Sequence, residues 1–322
     1  MSLETEAVLD RRRLKRSTSL WRTAAIAAIA LAGGAFAFSG DSGLGFTDQH
    51  QIARVTIEGM ITEDRAQLRM LQRIAESKTV EGVILVVNSP GGTTTGGEAL
   101  FEALRKISSA KPIVSQFGTV AASAAYIAGL GTDYIVARGN SITGSVGVIM
   151  QWPEVSELLA KIGVKMNEVK SGPLKASPSM FAPIDGPSQA LVEQMIREGQ
   201  QWFLGLVTTR RGVNTAAIPG LEQGRIFSGR EALQYQLVDE IGGEAEALHW
   251  LQDKRRLKKG LRIVDWKPQR EGNWSLTGAM SQAITGGLVG TLREAMAETL
   301  QKAGLAAIQL DGLVSVWQPV KN

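Results

Sequence analysis

The sequence predicts an α/β fold with a largely parallel sheet. Three observations carry that prediction. From about residue 50, β-branched and apolar runs alternate with segments of helical period. The run at 82–92, GVILVVNSPGG, is continuously apolar until it ends in a turn, as a strand buried on both faces would be. With 322 residues, 44% of them hydrophobic, the chain is long enough for a large packed core.

The elements follow in order. IARVTIEG (52–59) reads as a strand by its β-branched residues, and 63–77 as a helix with Leu68, Leu71 and Ile74 on one face. Strand 82–92 leads into a helix at 96–109 and a strand at 112–117. A small-residue helix then starts near Ser123, followed by strand 133–137 and the glycine-rich stretch 141–150. A helix at 153–162 is expected to lead into a strand at 164–169, and a long helix to cover 188–211. LVDEIGG (237–243) precedes a further helix and a basic, strand-like linker. Residues 276–304 have an amphipathic helical period, and 305–319 are apolar, fit for core packing or for a subunit or membrane contact. No unit is duplicated, and right-handed crossovers are expected.

Composition removes several chemistries. There is no cysteine, which excludes disulfides, thiolate nucleophiles and most structural zinc sites. Only two histidines occur, His50 and His249, and both suit surface or packing roles. A hydrolase built on this chain therefore needs a base other than histidine. The net charge of +4 is uneven: residues 1–22 carry six Lys/Arg against three Asp/Glu, and 253–270 carry eight against two. Two basic clusters, one beside an apolar segment, fit a membrane-proximal protein at least as well as a nucleic-acid binder, which would more often spread its basic residues over one face.

That apolar segment is 23–40, uncharged and preceded by basic residues and Trp21. Its length is near the lower limit for a bilayer span, and the flanking charge places the N-terminus in the cytoplasm. A cleaved signal peptide competes with an uncleaved anchor, because Ala35-Phe36-Ala37 resembles a small-x-small cleavage site. The expected organisation is a basic tail (1–22), an anchor (23–40), a linker (41–50), a catalytic domain (51–245) and a C-terminal extension (246–322), with the bulk of the chain outside the cytoplasmic membrane.

Candidate chemistry lies in three places. Ser123, in GTVAASAAYIAG, follows a strand and precedes a helix, where free N–H groups gather, and the next residue, Ala124, offers one of them. It reads equally as a helix cap. The turn SPGG offers Gly91 and Gly92, whose backbone N–H groups can approach a ligand with no Cβ in the way. The stretch is neither a P-loop nor a dinucleotide fingerprint. Without histidine, a serine nucleophile points to a lysine base, which must be deprotonated by burial. EVKSGPLKASPSMFAP (168–183) holds two candidates, Lys175 among apolar neighbours and Lys170 before the turn.

Together VVNSPGG, VAASAAYIAG, SITGSVGVIM, VKSGPLK and GRIFSGREALQYQLVDEIGG resemble, over roughly residues 50–245, the short form of the bacterial signal peptide peptidase A family. That resemblance implies a Clp protease/crotonase-like β/α spiral domain with a transmembrane helix and a helical C-terminal extension. It implies a membrane-anchored serine–lysine endopeptidase acting on remnant signal peptides. By the same likeness Ser123 is the nucleophile, Lys175 the general base and Ser145 the serine that positions it. Gly91 or Gly92, with the N–H of Ala124 or Ser123, forms the oxyanion hole. No metal or organic cofactor is implied. The partners are peptide substrates, the lipid bilayer and further copies of the chain, in an octameric ring whose lysine can come from a neighbour. One departure is Ala124 and Ala125 where the family usually has two glycines, whose added methyls are expected to narrow the adjoining pocket. Two other readings remain: a crotonase-like acyl-CoA enzyme, and a non-catalytic membrane scaffold with a fossil site.

Overall fold

A nine-stranded sheet runs through the second of two separate units, residues 50–322. The structure is a computed structural model that describes residues 21–24, 26–27, 50–269 and, for the backbone, 314–316. Residues 21–24 and 26–27 are helical and exposed. The remainder of the expected anchor, residues 25 and 28–40, and the expected helix at 276–304 lie outside the described residues. Among the described residues no helix is long and apolar enough to cross a membrane.

The strands and helices are β1 (Gln51–Ile61), α1 (Arg65–Glu76), β2 (Val80–Thr93), α2 (Thr94–Ala110), β3 (Ile113–Ala122) and α3 (Ala124–Leu130). They continue with β4 (Tyr134–Ala137), β5 (Ile142–Gly144), α4 (Ser156–Lys161), α5 (Gly186–Arg211), β6 (Ile226–Ser228) and α6 (Gly229–Gln234). Last come β7 (Glu240–Ile241), α7 (Glu244–His249), β8 (Arg262–Trp266) and β9 (Val314–Val316).

The central path is β6-β5-β3-β2-β1-β8. Its pairs are parallel except β5–β6, as the alternation of strand and helix requires. β3 is the organising strand. One side pairs with β2, while the other pairs first with β4 (Val114–Phe117) and then with β5 (Val120–Ala122). The basic linker contains a true strand, β8, parallel to β1 and tied by Arg54 to Asp265 and Glu244.

Helix α3 explains its own composition. All seven residues, AAYIAGL, are buried, so it needs small side chains on every face. A Cβ on Gly129 would lie 2.5 Å from the Phe117 ring, and one on Gly97 of α2 would lie 3.2 Å from the Ala124 Cβ. The methyls of Ala124 and Ala125 thus belong to the packed interior and do not wall an open pocket. Tyr126 reaches through the core to donate to the Leu237 carbonyl (2.8 Å), and burial pushes its phenol up.

One expected strand fails. Residues 164–169 form no strand, and Val164, Met166 and Val169 are exposed. The apolar letters there have the strand period but no partner edge. The preceding helix is short, at Ser156–Lys161, and buries no residue.

Candidate active site

β3 ends at Ala122, and Ser123 follows with φ 59° and ψ −122°. This is backbone that a residue with a Cβ adopts only under strain, worth about 1–3 kcal/mol. The turn is held from both sides. Ser123 N–H donates to the Gly144 carbonyl (2.9 Å), and its own carbonyl accepts from Ile127 N–H (3.0 Å). Ser123 occupies the N-cap position of α3, yet its side chain makes no capping bond. The cap reading of this serine therefore fails. A strained strand-to-helix turn is the geometry that pushes a nucleophilic serine forward on an α/β sheet, and here it arises without the glycines that usually flank such a serine.

Ser145 lies beside it by register. Ala122 of β3 pairs with Gly144 of β5, so the residues that follow, Ser123 and Ser145, leave adjacent strand ends. Ser145 also has a positive φ, 51°. Its N–H donates to the Arg225 carbonyl (2.9 Å) just before β6, and a Cβ on Gly144 would lie 2.6 Å from the Phe227 ring. This accounts for part of the GRIFSGREALQYQLVDEIGG stretch. The Ser228–Glu231 capping box starts α6, and a Cβ on Gly229 would sit 2.1 Å from the Arg138 carbonyl. Asp239 is bound by Arg211 and accepts the Ile135 N–H of β4 (2.8 Å).

Two residues that sequence reading did not single out fix the approach to Ser123. Asn88 Oδ1 accepts from the N–H groups of Thr119 (3.1 Å) and Val120 (3.2 Å), across the register irregularity between the Val87–Phe117 and Ser89–Ala121 pairs of β2 and β3. Thr143 Oγ1, fully buried, donates to the Ala121 carbonyl (2.7 Å). Asn88 stood in plain view at the head of NSPGG, but its targets lie 31 and 32 residues on, where no local period points.

The two glycines of SPGG differ. Gly91 has φ 113°, and its N–H donates to the buried Ser89 Oγ (3.1 Å). A Cβ on Gly92 would lie 1.8 Å from the Ile61 carbonyl oxygen, so only glycine fits against β1 there. Ala124 is fully buried at the first position of α3, where backbone N–H groups have no partner in the helix.

The lysines stand apart from this cluster in their setting. Lys170 is paired with Glu168 at 2.5 Å. Lys175 is exposed on the 163–185 segment, in a turn closed by its N–H on the Gly172 carbonyl (3.1 Å), and Ala176 beside it has φ 59°. Both histidines are at the surface, His50 beside Glu81 and His249 beside Asp253. A cavity of about 390 Å³ opens beside Ser145, between Gly147–Ile149 and Gln200, Glu222 and Gly224.

Comparisons with known proteins give the family. Residues 105–258 match the family model described as Peptidase family S49, and 49–138 match that of Clp protease. A Synechocystis protein named "Putative protease slr0021" is 31% identical over 202 residues, covering 62% of this chain and 73% of its own length. The chain belongs to peptidase family S49. It therefore falls in a serine protease family, with a Clp protease-like α/β domain. Two further relatives place this S49 chain. Protease 4 of Haemophilus influenzae is 34% identical over 212 residues, 62% of this chain and 34% of that protein. A protein of Enterococcus faecium named as a signal peptide peptidase, SppA, is 34% identical over 209 residues, 64% of this chain and 60% of that one. The S49 chain thus spans about a third of the length of Protease 4. Of the three readings drawn from the sequence, the peptidase is the one these relatives support.

Proposed function

We propose that the chain is a membrane-anchored serine endopeptidase that degrades signal peptides left after preprotein processing. The observation that carries the reading is Ser123: a buried, strained, non-capping serine at a strand-to-helix turn, one register step from Ser145. In this reading the Ser123 Oγ attacks the peptide carbonyl and its proton passes to the Lys175 amine. The C–N bond then breaks, the leaving amine takes that proton, and water hydrolyses the acyl-enzyme by the same route. Ser145 orients the lysine. The oxyanion is received by the N–H of Ala124 or Ser123 and by one of the two glycines, with Gly92 favoured because the Gly91 N–H is already directed at Ser89.

Such a base works only if burial removes it from water. Lys175 is exposed on the single chain, as are Leu174, Met180, Phe181 and, entirely, Val169 around it. An exposed apolar surface of this kind marks a contact with another molecule. We assign that contact to a neighbouring copy in an octameric ring, so that each Ser123 is served by a lysine that the assembly buries. The basic N-terminal cluster and the 23–40 segment anchor the ring in the cytoplasmic membrane, with the catalytic domain outside the cytoplasm.

The test mixes two inactive chains. Ser123→Ala and Lys175→Ala variants, each without activity on an extended apolar peptide, should regain cleavage when co-assembled, because a mixed ring contains intact Ser123 facing intact Lys175. Absence of any recovery in verified mixed assemblies would rule out a shared site.

A further inference from the structure

The end of the sheet remote from Ser123 carries a basic surface that the peptidase chemistry does not use. β1, β2, β3 and β8 run parallel, so all of them start at that end, near Gln51, Val80, Ile113 and Arg262. Residues 255–261 cross it before the chain enters β8. Leu257 pins them there: a Cβ on Gly82 would lie 2.6 Å from its side chain, and its N–H donates to the Leu251 carbonyl (3.1 Å). Around this apolar pin, Lys254, Arg256, Lys258 and Arg262 are exposed, as is Lys78 just before β2. None of these five makes an ion pair among the described residues. The acidic groups at this end are already engaged. Asp133 faces Arg105 (3.7 Å) and Arg255 (3.9 Å), Asp253 faces His249 (2.6 Å) and Lys259 (3.7 Å), and Glu81 faces His50 (2.5 Å). Glu76, at the end of α1, accepts from Gln72 (2.9 Å).

A surface of unpaired cations seeks an anion, and the path of the chain says which. The linker 41–50 joins the sheet at His50, at this same end. Ten extended residues reach at most about 35 Å. With 23–40 as an anchor, this end of the sheet is therefore the one tethered close to lipid headgroups. Each Lys or Arg beside an anionic lipid surface is worth about fivefold in partition, so four or five of them on one face hold it firmly at low salt.

We propose that this basic end is a docking surface for anionic lipid headgroups of the membrane that holds the anchor. The inference rests on the reading of 23–40 as an anchor, and it adds an orientation. The strands stand on the bilayer by their N-terminal ends. At about 3.3 Å per residue, β3 then lifts Ser123 about 30 Å from the lipid surface along the strand direction. A peptide must be drawn out of the bilayer by that distance before it is cut, and residues still embedded in lipid are out of reach.

Contact quenching tests this. The full chain is reconstituted into vesicles of phosphatidylcholine, alone or mixed with phosphatidylglycerol, each doped with a lipid bearing a nitroxide on its headgroup. The chain has no cysteine, so a single introduced one takes a fluorophore at a known place. Lys258→Cys reports the basic end, and Glu58→Cys, exposed and paired in register with Asn88, reports the other end of β1. The expected result is quenching at 258 that is several-fold stronger with phosphatidylglycerol than without. It should fall to the phosphatidylcholine level in about 1 M salt, where the Debye length is about 3 Å. The label at 58 should stay unquenched throughout. Adding Lys254→Gln, Arg256→Gln and Arg262→Gln to the Lys258→Cys chain should remove the dependence on phosphatidylglycerol, and the salt arm checks the same charges without mutation. Equal quenching at the two positions, or quenching at 258 that is absent or ignores both lipid charge and salt, overturns the proposal. Shielding of the 258 label from a water-soluble quencher in neutral detergent would give the surface to a neighbouring copy and overturn it too. The anchor is read separately, by flotation with phosphatidylcholine vesicles in about 1 M salt, where surface charge is screened. A chain that fails to float there lacks the anchor, while its quenching with phosphatidylglycerol at low salt still decides the docking surface.

Discussion

Strain at Ser123 makes a prediction that separates stability from activity. Replacing it by alanine or glycine removes the hydroxyl in both cases, so any difference between the two variants reports the backbone. Alanine retains the Cβ at φ 59°, ψ −122°, with a cost of about 1–3 kcal/mol. Glycine reaches that region freely but loses about 0.5–1 kcal/mol through the greater freedom of the unfolded chain. The net expectation is that Ser123→Gly is more stable than Ser123→Ala by about 1 kcal/mol, or about 2–4 °C in Tm for a domain of this size. Paired urea and thermal denaturation of the two chains measures it, and both should be inactive on peptide. A Ser123→Ala chain as stable as Ser123→Gly would mean the turn is not strained. Ser123 would then not be held in place for chemistry by its backbone.

Other expectations follow from the same geometry. Asn88→Ala should lower kcat of peptide cleavage more than it raises KM, and cost about 0.5–1.5 kcal/mol in denaturation, because two N–H groups of β3 lose their acceptor just before the nucleophile. Gly92→Ala should abolish both folding yield and activity, since its Cβ would sit 1.8 Å from the Ile61 carbonyl oxygen; a soluble, active Gly92→Ala chain would contradict the close approach of β1 and β2. The Glu231 carboxyl is held below its ordinary range by accepting the Ser228 N–H and by Arg225. A carboxylate depressed in the folded state stabilises above the unfolded pKa and loses that contribution as pH falls through the folded one. The Tm gap between wild type and Glu231→Gln should therefore be widest near neutrality and close as the pH drops below the carboxylate range.

Much of the fold was legible because its signals are local. The buried run at 82–92 and the helices on either side carry their periods within a dozen residues, and the structure moves their ends by only a residue or two, lengthening the strand and α2 and shortening α1. The expected strand at 164–169 did not form because alternation alone cannot supply an edge to pair with. At the site, Ser123 and the two glycines were visible as small residues in small surroundings. The strain at Ser123 was not, because the turn is clamped through Gly144 and Asn88, whose bonded partners on this stretch lie 21 to 32 residues away in sequence. The alanines after Ser123 were misplaced for a related reason. Both are buried, and the Ala124 methyl faces Gly97, a placement that depends on how α2 packs. The antiparallel strand at 314–316 had no local signal beyond two valines, since its partner lies more than two hundred residues earlier.

The central claim, a serine nucleophile activated by Lys175, is tested most directly by cleavage of an extended apolar peptide by four full-length chains shown to fold alike: wild type, Ser123→Ala, Lys175→Ala and Lys170→Ala. Loss of either member of an acting pair removes most of the rate enhancement, so Ser123→Ala and Lys175→Ala should each fall by about 10³-fold or more. Lys170→Ala, whose lysine is already paired with Glu168, should stay within a few-fold of wild type. Wild-type activity in Lys175→Ala, or a collapse in Lys170→Ala alone, would contradict the account.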